Sequence, residues 1–354
     1  MNKKIGLASL VVAAIGSNTV WAYEDASTLP EGFKFYGRVN VSLQRDHDFN
    51  TKPNTANNEI VQNTKLHSNA SRAGIKGKYS FTDDLSFIYK GELELGANSD
   101  YSANNNFVER REVYAGVSSK KFGSAMGGKI DTPLKMLQAK VDMFIDFTAG
   151  DIKYLMPGKT RTSNTYLYLT PSWAGFSAAV ASINFSTVNP NPKPEDNNGT
   201  SMSVTYTKDK IFTCDDSFYA GLARNDGVLD QDINRFAAQY KWSVFTVGGL
   251  IQDAHKTATG KTYPTGSRKE NGHMVNASWN FTQNDTAKIQ WGQSQEVEYG
   301  GTQLGLGLDH KINKNLKVYA FHADIGGDYY QTSSPAKQKD RTLMSNGVGV
   351  EYNF

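Results

Sequence analysis

Phe33-Lys34-Phe35-Tyr36-Gly37-Arg38-Val39-Asn40-Val41-Ser42-Leu43-Gln44 alternates without a break. Phe33, Phe35, Gly37, Val39, Val41 and Leu43 fall on one face. Lys34, Tyr36, Arg38, Asn40, Ser42 and Gln44 fall on the other. A period of two over this length predicts a β-strand, long enough to cross hydrocarbon at a tilt. The next stretch repeats the pattern. Ala73, Ile75, Gly77, Tyr79 and Phe81 oppose Arg72, Gly74, Lys76, Lys78 and Ser80, and Thr82-Asp83-Asp84 reads as a tight turn. On the return, Leu85, Phe87, Tyr89, Leu93 and Leu95 face one way, with Lys90, Glu92 and Glu94 the other. Charges at mid-strand on the polar faces suit water better than the dry interior of a sandwich.

Connections along the chain alternate in length. Short turns are expected at 82–84, 120–122, 172–174, 241–243, 282–285 and 311–315, with a longer one at 208–216. Long polar loops are expected at 45–70, 98–107, 188–199, 226–231, 254–269, 295–301 and 326–341. Pro190, Pro192 and Pro194 exclude a strand from 188–199. With 130–160 added, about sixteen strands result. All short turns then lie at one end, as in an outer-membrane barrel. Trp173, Trp242, Trp279, Phe281, Tyr79 and Phe81 cluster near short turns, where an aromatic girdle would meet headgroups. The chain ends Val348-Gly349-Val350-Glu351-Tyr352-Asn353-Phe354, an alternating strand that could pair with the first and remove both edges.

One stretch breaks the alternation. Between Lys129 and Arg161 about thirty residues lack a strand period, and their middle reads Val141-Asp142-Met143-Phe144-Ile145-Asp146-Phe147-Thr148-Ala149-Gly150-Asp151. Asp142 and Asp146 are four apart, so on a helical turn they would share a face. A connection this long is expected to be functional, and we expect it to fold into the barrel.

The start of the 354-residue chain has a different character. Met1-Asn2-Lys3-Lys4, an apolar run from Ile5 to Ile15, and Val20-Trp21-Ala22 make the three-part pattern of a secretory signal peptide, with cleavage expected after Ala22. Residues 23–354 would then form a single unit. Its charges nearly balance, so no acidic or basic partner is implied. Past residue 22 no run of 18 apolar residues exists, which excludes a transmembrane helix but not a barrel. Cys214 is the single cysteine, so no intramolecular disulfide can form.

Several local motifs resemble the general trimeric porins of Gram-negative outer membranes, and their order covers the whole mature length. Ser71-Arg72-Ala73-Gly74-Ile75-Lys76-Gly77 is similar to that family's second strand, which opens on a pore-facing arginine. Glu92 follows where the family has a buried pore carboxylate. Arg111-Glu112-Val113-Tyr114-Ala115-Gly116-Val117, then Phe122-Gly123-Ser124 and Gly127-Gly128-Lys129, resemble the fourth and fifth strands. Arg161, ahead of Pro171-Ser172-Trp173-Ala174-Gly175-Phe176, resembles the basic start of the sixth. The resemblance implies a 16-stranded antiparallel transmembrane β-barrel with short periplasmic turns, long extracellular loops and an inward-folded third loop, 130–160. It implies a basic wall of Arg72, Arg111, Lys129 and Arg161, faced by Asp142 and Asp146, with Glu92 as a further acidic pore residue. Met143, Ile145 and Phe147 would press the loop to the wall. Two departures stand out. The family's Pro-Glu-Phe-Gly-Gly-Asp signature is reduced to Ile145-Asp146-Phe147-Thr148-Ala149-Gly150-Asp151, and Lys129 stands where arginine is common.

Cations on one wall and carboxylates on a facing loop would set a transverse field across a narrow waist. The implied function is a water-filled pore for passive diffusion of ions and small hydrophilic solutes, without enzymatic activity. The same resemblance implies a homotrimer in outer-membrane lipid and lipopolysaccharide, with Phe354 read by the barrel-assembly machinery. Mixed inner charges imply mild ion preference. A sugar- or phosphate-selective channel, a barrel hydrolase and an adhesive surface protein are the other readings. His47, His67, His255, His273, His310 and His322 show no metal spacing, and no cofactor motif or nucleic-acid-binding stripe is present.

Overall fold

The computed structural model describes residues 29–50, 61–96, 107–184, 198–211, 216–229, 231–256, 270–295, 301–330 and 338–354. The leader-like segment 1–22 and Cys214 lie outside them. Described strands are β1 (Lys34–Asn50), β2 (Val61–Ser68), β3 (Ser71–Ser80), β4 (Leu85–Leu95), β5 (Val108–Ser119), β6 (Gly123–Asp131), β7 (Arg161–Leu169), β8 (Phe176–Ile183) and β9 (Gly199–Asp209). They continue as β10 (Ser217–Val228), β11 (Gln231–Trp242), β12 (Phe245–Lys256), β13 (Glu270–Asn280), β14 (Asp285–Ser294), β15 (Gly301–Lys311), β16 (Leu316–Tyr330) and β17 (Gln338–Asn353). A short helix, α1 (Pro133–Gln138), lies between β6 and β7.

Every pairing between these strands is antiparallel, and β17 returns to β1 in a ladder from Arg38↔Asn353 to Asn50↔Arg341. Both β2 and β3 pair with β1, so they form one crossing interrupted at Asn69-Ala70, where Ala70 takes a left-handed φ of 55°. The sheet is therefore a closed barrel of 16 crossings. Closure leaves no unpaired edge, the condition for strands to span hydrocarbon. Among the described residues no helix is long and apolar enough to cross a membrane.

Period two sets the two faces as expected. On β1, Tyr36, Arg38, Asn40, Ser42 and Gln44 are buried on the lumen side, while Phe35, Val39 and Leu43 are exposed outside. Tyr79, Phe81, Trp173, Trp242, Trp279 and Phe281 are all exposed at or beside short turns. Several of these rings pack in a belt: Phe245 stacks on Trp279 at 6.2 Å, and Trp279 meets Phe281 at 5.5 Å.

Two connections differ from expectation. The ladder between β1 and β2 runs from Val41↔Ser68 to Asp48↔Val61, so strand occupies much of 45–70. A paired strand of polar composition and a polar loop look alike in sequence, so composition alone does not separate them. Within 226–231, β10 continues to Val228 and β11 begins at Gln231, and the two residues pair. Asp232 Oδ1 accepts the Gly227 N–H at 2.7 Å there, and Gly227 has a φ of 66°.

At the seam, Phe354 N donates to the Gly37 carbonyl, and Gly37 N donates to the Phe354 carbonyl, each at 3.0 Å. The Phe354 ring lies over Gly37, where an added Cβ would sit 2.8 Å from its Cε1, and meets Phe35 at 5.7 Å. Gly37→Leu should displace the ring and cost about 1–3 kcal/mol of barrel stability by overpacking. The check is the temperature at which the folded band unfolds on a detergent gel, which should fall; no change would exclude a role for this seam contact.

Candidate functional site

Residues 132–160 leave β6, enter the barrel and return at β7. The entry is a capped helix start: Thr132 Oγ1 accepts the Lys135 N–H at 3.3 Å, and Pro133 occupies the first turn. Leu134, Leu137, Val141, Met143, Phe144, Phe147, Ile152, Leu155 and Met156 then bury themselves against inward residues of the barrel wall. That wall is apolar where the loop lies: Tyr219, Ile233, Ala237, Leu250 and Met274 come from β10 to β13. Phe147 packs at 4.6 Å from Phe321 and 5.2 Å from Tyr319. Of the three residues expected to press the loop home, Met143 and Phe147 do so, and Phe144 goes deeper than Ile145.

Neutral wall amides satisfy the irregular loop backbone, as buried peptide groups require. Gln239 Nε2 donates to the Lys140 carbonyl at 2.7 Å, and Asn276 Nδ2 to that of Val141. Gln290 accepts from Met143 N and donates to the Gly150 carbonyl, both at 3.0 Å. Gln303 Nε2 donates to the carbonyls of Ala149 (2.6 Å) and Asp151 (3.0 Å).

The opposite wall is charged. Arg38 on β1 and Arg72 on β3 are direct ladder partners, and both are buried. Like charges so placed need carboxylates between them. Glu92 supplies one: its oxygens lie 2.6 Å from Arg111 Nε, 3.9 Å from Arg72 Nε and 3.9 Å from Lys90 Nζ, and accept the Tyr36 hydroxyl at 2.9 Å. Arg111 also pairs with Glu94, and Lys90 with Glu112 at 2.6 Å. A register shift between Gly91 and Leu93 lets the neighbours Arg111 and Glu112 both serve this cluster.

Asp146 reaches this wall from the loop. Its Oδ2 lies 2.7 Å from Arg38 Nη2, and its Oδ1 lies 3.1 Å from Lys159 Nζ. Lys159 also pairs with Asp151. Asp146 has a φ of 72°, a left-handed conformation that aspartate tolerates better than most residues. Burial alone would raise its carboxyl, but Lys159, Arg38, Arg111 and Arg72 outweigh burial and hold it well below the usual carboxylate range.

The structure separates the residues expected to act together. Arg72, Arg111, Glu92 and Asp146 converge. Asp142 does not join them: no helix runs through 142–146, and the left-handed Asp146 turns the two carboxylates apart. Asp142 is 1% exposed and accepts from Phe144 N at 3.1 Å and Ile152 N at 3.2 Å, tying the loop to itself. Burial first, and then Asp151, push its carboxyl upward. Lys129 also stands apart. Its ladder partner Val113 is exposed on the outer side, and its Nζ donates to the Arg110 carbonyl at 2.8 Å. Alternation along β6 sets that orientation: Met126 and Ile130 are buried inward, Ala125 is exposed, and the pairing with β5 reaches Lys129 without a shift. Arg161 sits at the loop's neck, its Nε 2.6 Å from Asp131, which Lys135 approaches at 2.9 Å. Arg38 and Lys159, both paired with Asp146, lie outside the expected basic wall. Arg38's signal was its place on the polar face of the first strand; Lys159 carried none. Among the described residues, no group of three or more His, Cys, Asp or Glu could hold a metal ion.

A closed barrel with a charged lumen partly filled by its own loop defines a membrane channel. The chain belongs to the Gram-negative porin family, whose model matches residues 6–329. It is an outer-membrane porin serving passive diffusion. No curated protein sequence matches the chain. Similar solved structures include an anion-selective porin from Comamonas acidovorans, at 18% identity and a TM-score of 0.65 over 91% of this chain and 99% of that one. OmpF of Salmonella typhi, in complex with daunomycin, aligns at 17% identity and a TM-score of 0.63, over 91% and 97%. A loop-deletion mutant of OmpT, an outer membrane protein of Vibrio cholerae, aligns at 15% identity and 0.61, over 91% and 99%.

Asp146→Asn should move the reversal potential in a salt gradient toward anions, with about a twofold change in permeability ratio. Asp142→Asn should leave it unmoved. A depressed carboxyl contributes docking stability above the ordinary aspartate value, ~3.9, and loses it only as pH falls through its own lower value. If Asp146 contributes to selectivity, that contribution should therefore persist as a pH titration passes below ~3.9. Loss at or above that point would contradict the pairing with Arg38 and Lys159.

Proposed function

We propose that loop 132–160 is the constriction of this porin, and that the filter is the zone where Asp146 meets Arg38, Arg72 and Arg111. The observation that carries this reading is the contact of one loop carboxylate with a stacked arginine wall, while the rest of the loop is buried against the far wall. Water and solutes then pass alongside ordered charges of both signs. Polar solutes can exchange hydration for these groups, whereas apolar ones must displace oriented water. Because most of the charges are paired, ion preference is mild. Sign and strength depend on the surplus of guanidinium over carboxylate at the waist.

We further infer that the chain acts as a homotrimer in outer-membrane lipid and lipopolysaccharide. Residues 1–22 are its export signal, and Phe354 is the terminal aromatic read by the barrel-assembly machinery. The porin family and the paired ends of the barrel support this reading.

Purified protein added to a planar bilayer should give discrete conductance steps that arrive in groups of three. Its zero-current potential should show only weak preference between potassium and chloride. Absence of any step at high protein would refute the channel, and single steps only would refute the trimer.

A further inference from the structure

Beneath the loop, the wall carries four inward glycines, each filled by a loop side chain. A Cβ on Gly221 of β10 would lie 2.6 Å from Leu137 Cδ1; on Gly292 of β14, 2.5 Å from Leu155 Cδ2; and on Gly305 of β15, 2.9 Å from Phe144 Cδ2. A Cβ on Gly272 of β13 would overlap Met156 Sδ. Glycine weakens a strand interior, so four sites of such close approach on one wall point to a shaped surface. The four side chains come from the first stem, the tip and the second stem of the loop.

Arg235 of β11 joins the two stems. Its side chain is fully buried. Nη1 donates to Gln138 Oε1 at the end of α1, and Nη2 donates to the Pro157 carbonyl at 2.6 Å, near the loop's exit. Nε donates to Gln252 Oε1 at 2.8 Å, which holds the fork in place. Gly158, at φ 99°, packs beside it: a Cβ there would be 3.0 Å from Arg235 Nη2. Only a planar fork can serve both stems at once; a lysine ammonium could not reach both in this geometry.

We propose that Arg235 and the four socket glycines are positioning residues of the filter: they fix where Asp146 stands relative to Arg38 and so set conductance and selectivity from the far wall. The proposal rests on the reading of 132–160 as the constriction. Its alternative is that the Asp146 pair alone holds the loop.

The test uses the whole protein in planar bilayers, with Arg235→Met and, independently, Gly305→Ala. The glycine change removes no charge and no hydrogen bond. Both variants should retain the heat-modifiable folded band. Both should raise single-channel conductance roughly twofold and admit larger polyethylene glycols. Arg235→Met should also shift the reversal potential toward that of Asp146→Asn, and the double variant should shift no further than Asp146→Asn alone, because the effect passes through Asp146. Unchanged conductance and exclusion size in folded variants would overturn the proposal, as would additive shifts in the double variant. If neither variant assembled, the proposal would also fall, since the seat would then serve the barrel itself. Wild-type steps recorded in the same bilayers separate failure of this proposal from failure of the channel reading.

Discussion

Hydrocarbon offers a peptide group no hydrogen-bond partner, and nearly every feature of this molecule follows from that. The wall answers it by pairing β17 with β1. The loop faces the same demand in a second setting. Its backbone is irregular from Ala139 to Thr160, apart from one short 3₁₀ turn at Ile152–Tyr154 capped by Asp151. Much of it is buried against the lumen wall. Gln239, Asn276, Gln290 and Gln303 supply the partners that a helix or sheet would otherwise have supplied.

The lumen is thereby divided into two unlike halves. Where the loop lies, the wall offers amides, glycines and apolar side chains, with the single guanidinium of Arg235 between the two stems. Elsewhere it offers arginine, lysine and glutamate. The carboxylates differ in task according to which half anchors them. Glu92 comes from the wall and braces three cations of that wall, so it holds the charged side together. Asp146 comes from the loop and ties the loop to that side. Removing one partner from so buried a set leaves an uncompensated charge, at a cost of roughly 3–5 kcal/mol. The network therefore maintains its own geometry as well as the field across the pore.

Sequence carries the wall much better than the filter. Alternation from Phe33 to Gln44 is the pleat itself written in residue types, so the faces, the aromatic belt and the count of crossings were all readable. The filter depends on backbone events that side-chain pattern does not mark. One left-handed residue, Asp146, separates it from Asp142. Lys129 is a different case: it alternates outward between the buried Met126 and Ile130, so the period of its own strand argues against a place on the basic wall. Arg38 was visible as polar, but nothing distinguished it from Tyr36 or Asn40 beside it on that face. The glutamines that hold the loop looked like ordinary lumen residues, because their role depends on which distant segment lies over them.

That the seat, Arg235 apart, is built of neutral groups has its own physical logic. Amide hydrogen bonds act at contact distance and project little field, whereas ion pairs reach about one Debye length, ~10 Å at 0.1 M salt. A loop held to the far wall by charges would add to the field at the waist, and its attachment would weaken as salt rose. Glycine sockets and amides instead hold the loop by shape and by bonds that salt screens little. On the proposed reading, position and field are separated: one wall decides where Asp146 stands, and the other decides what a passing ion experiences.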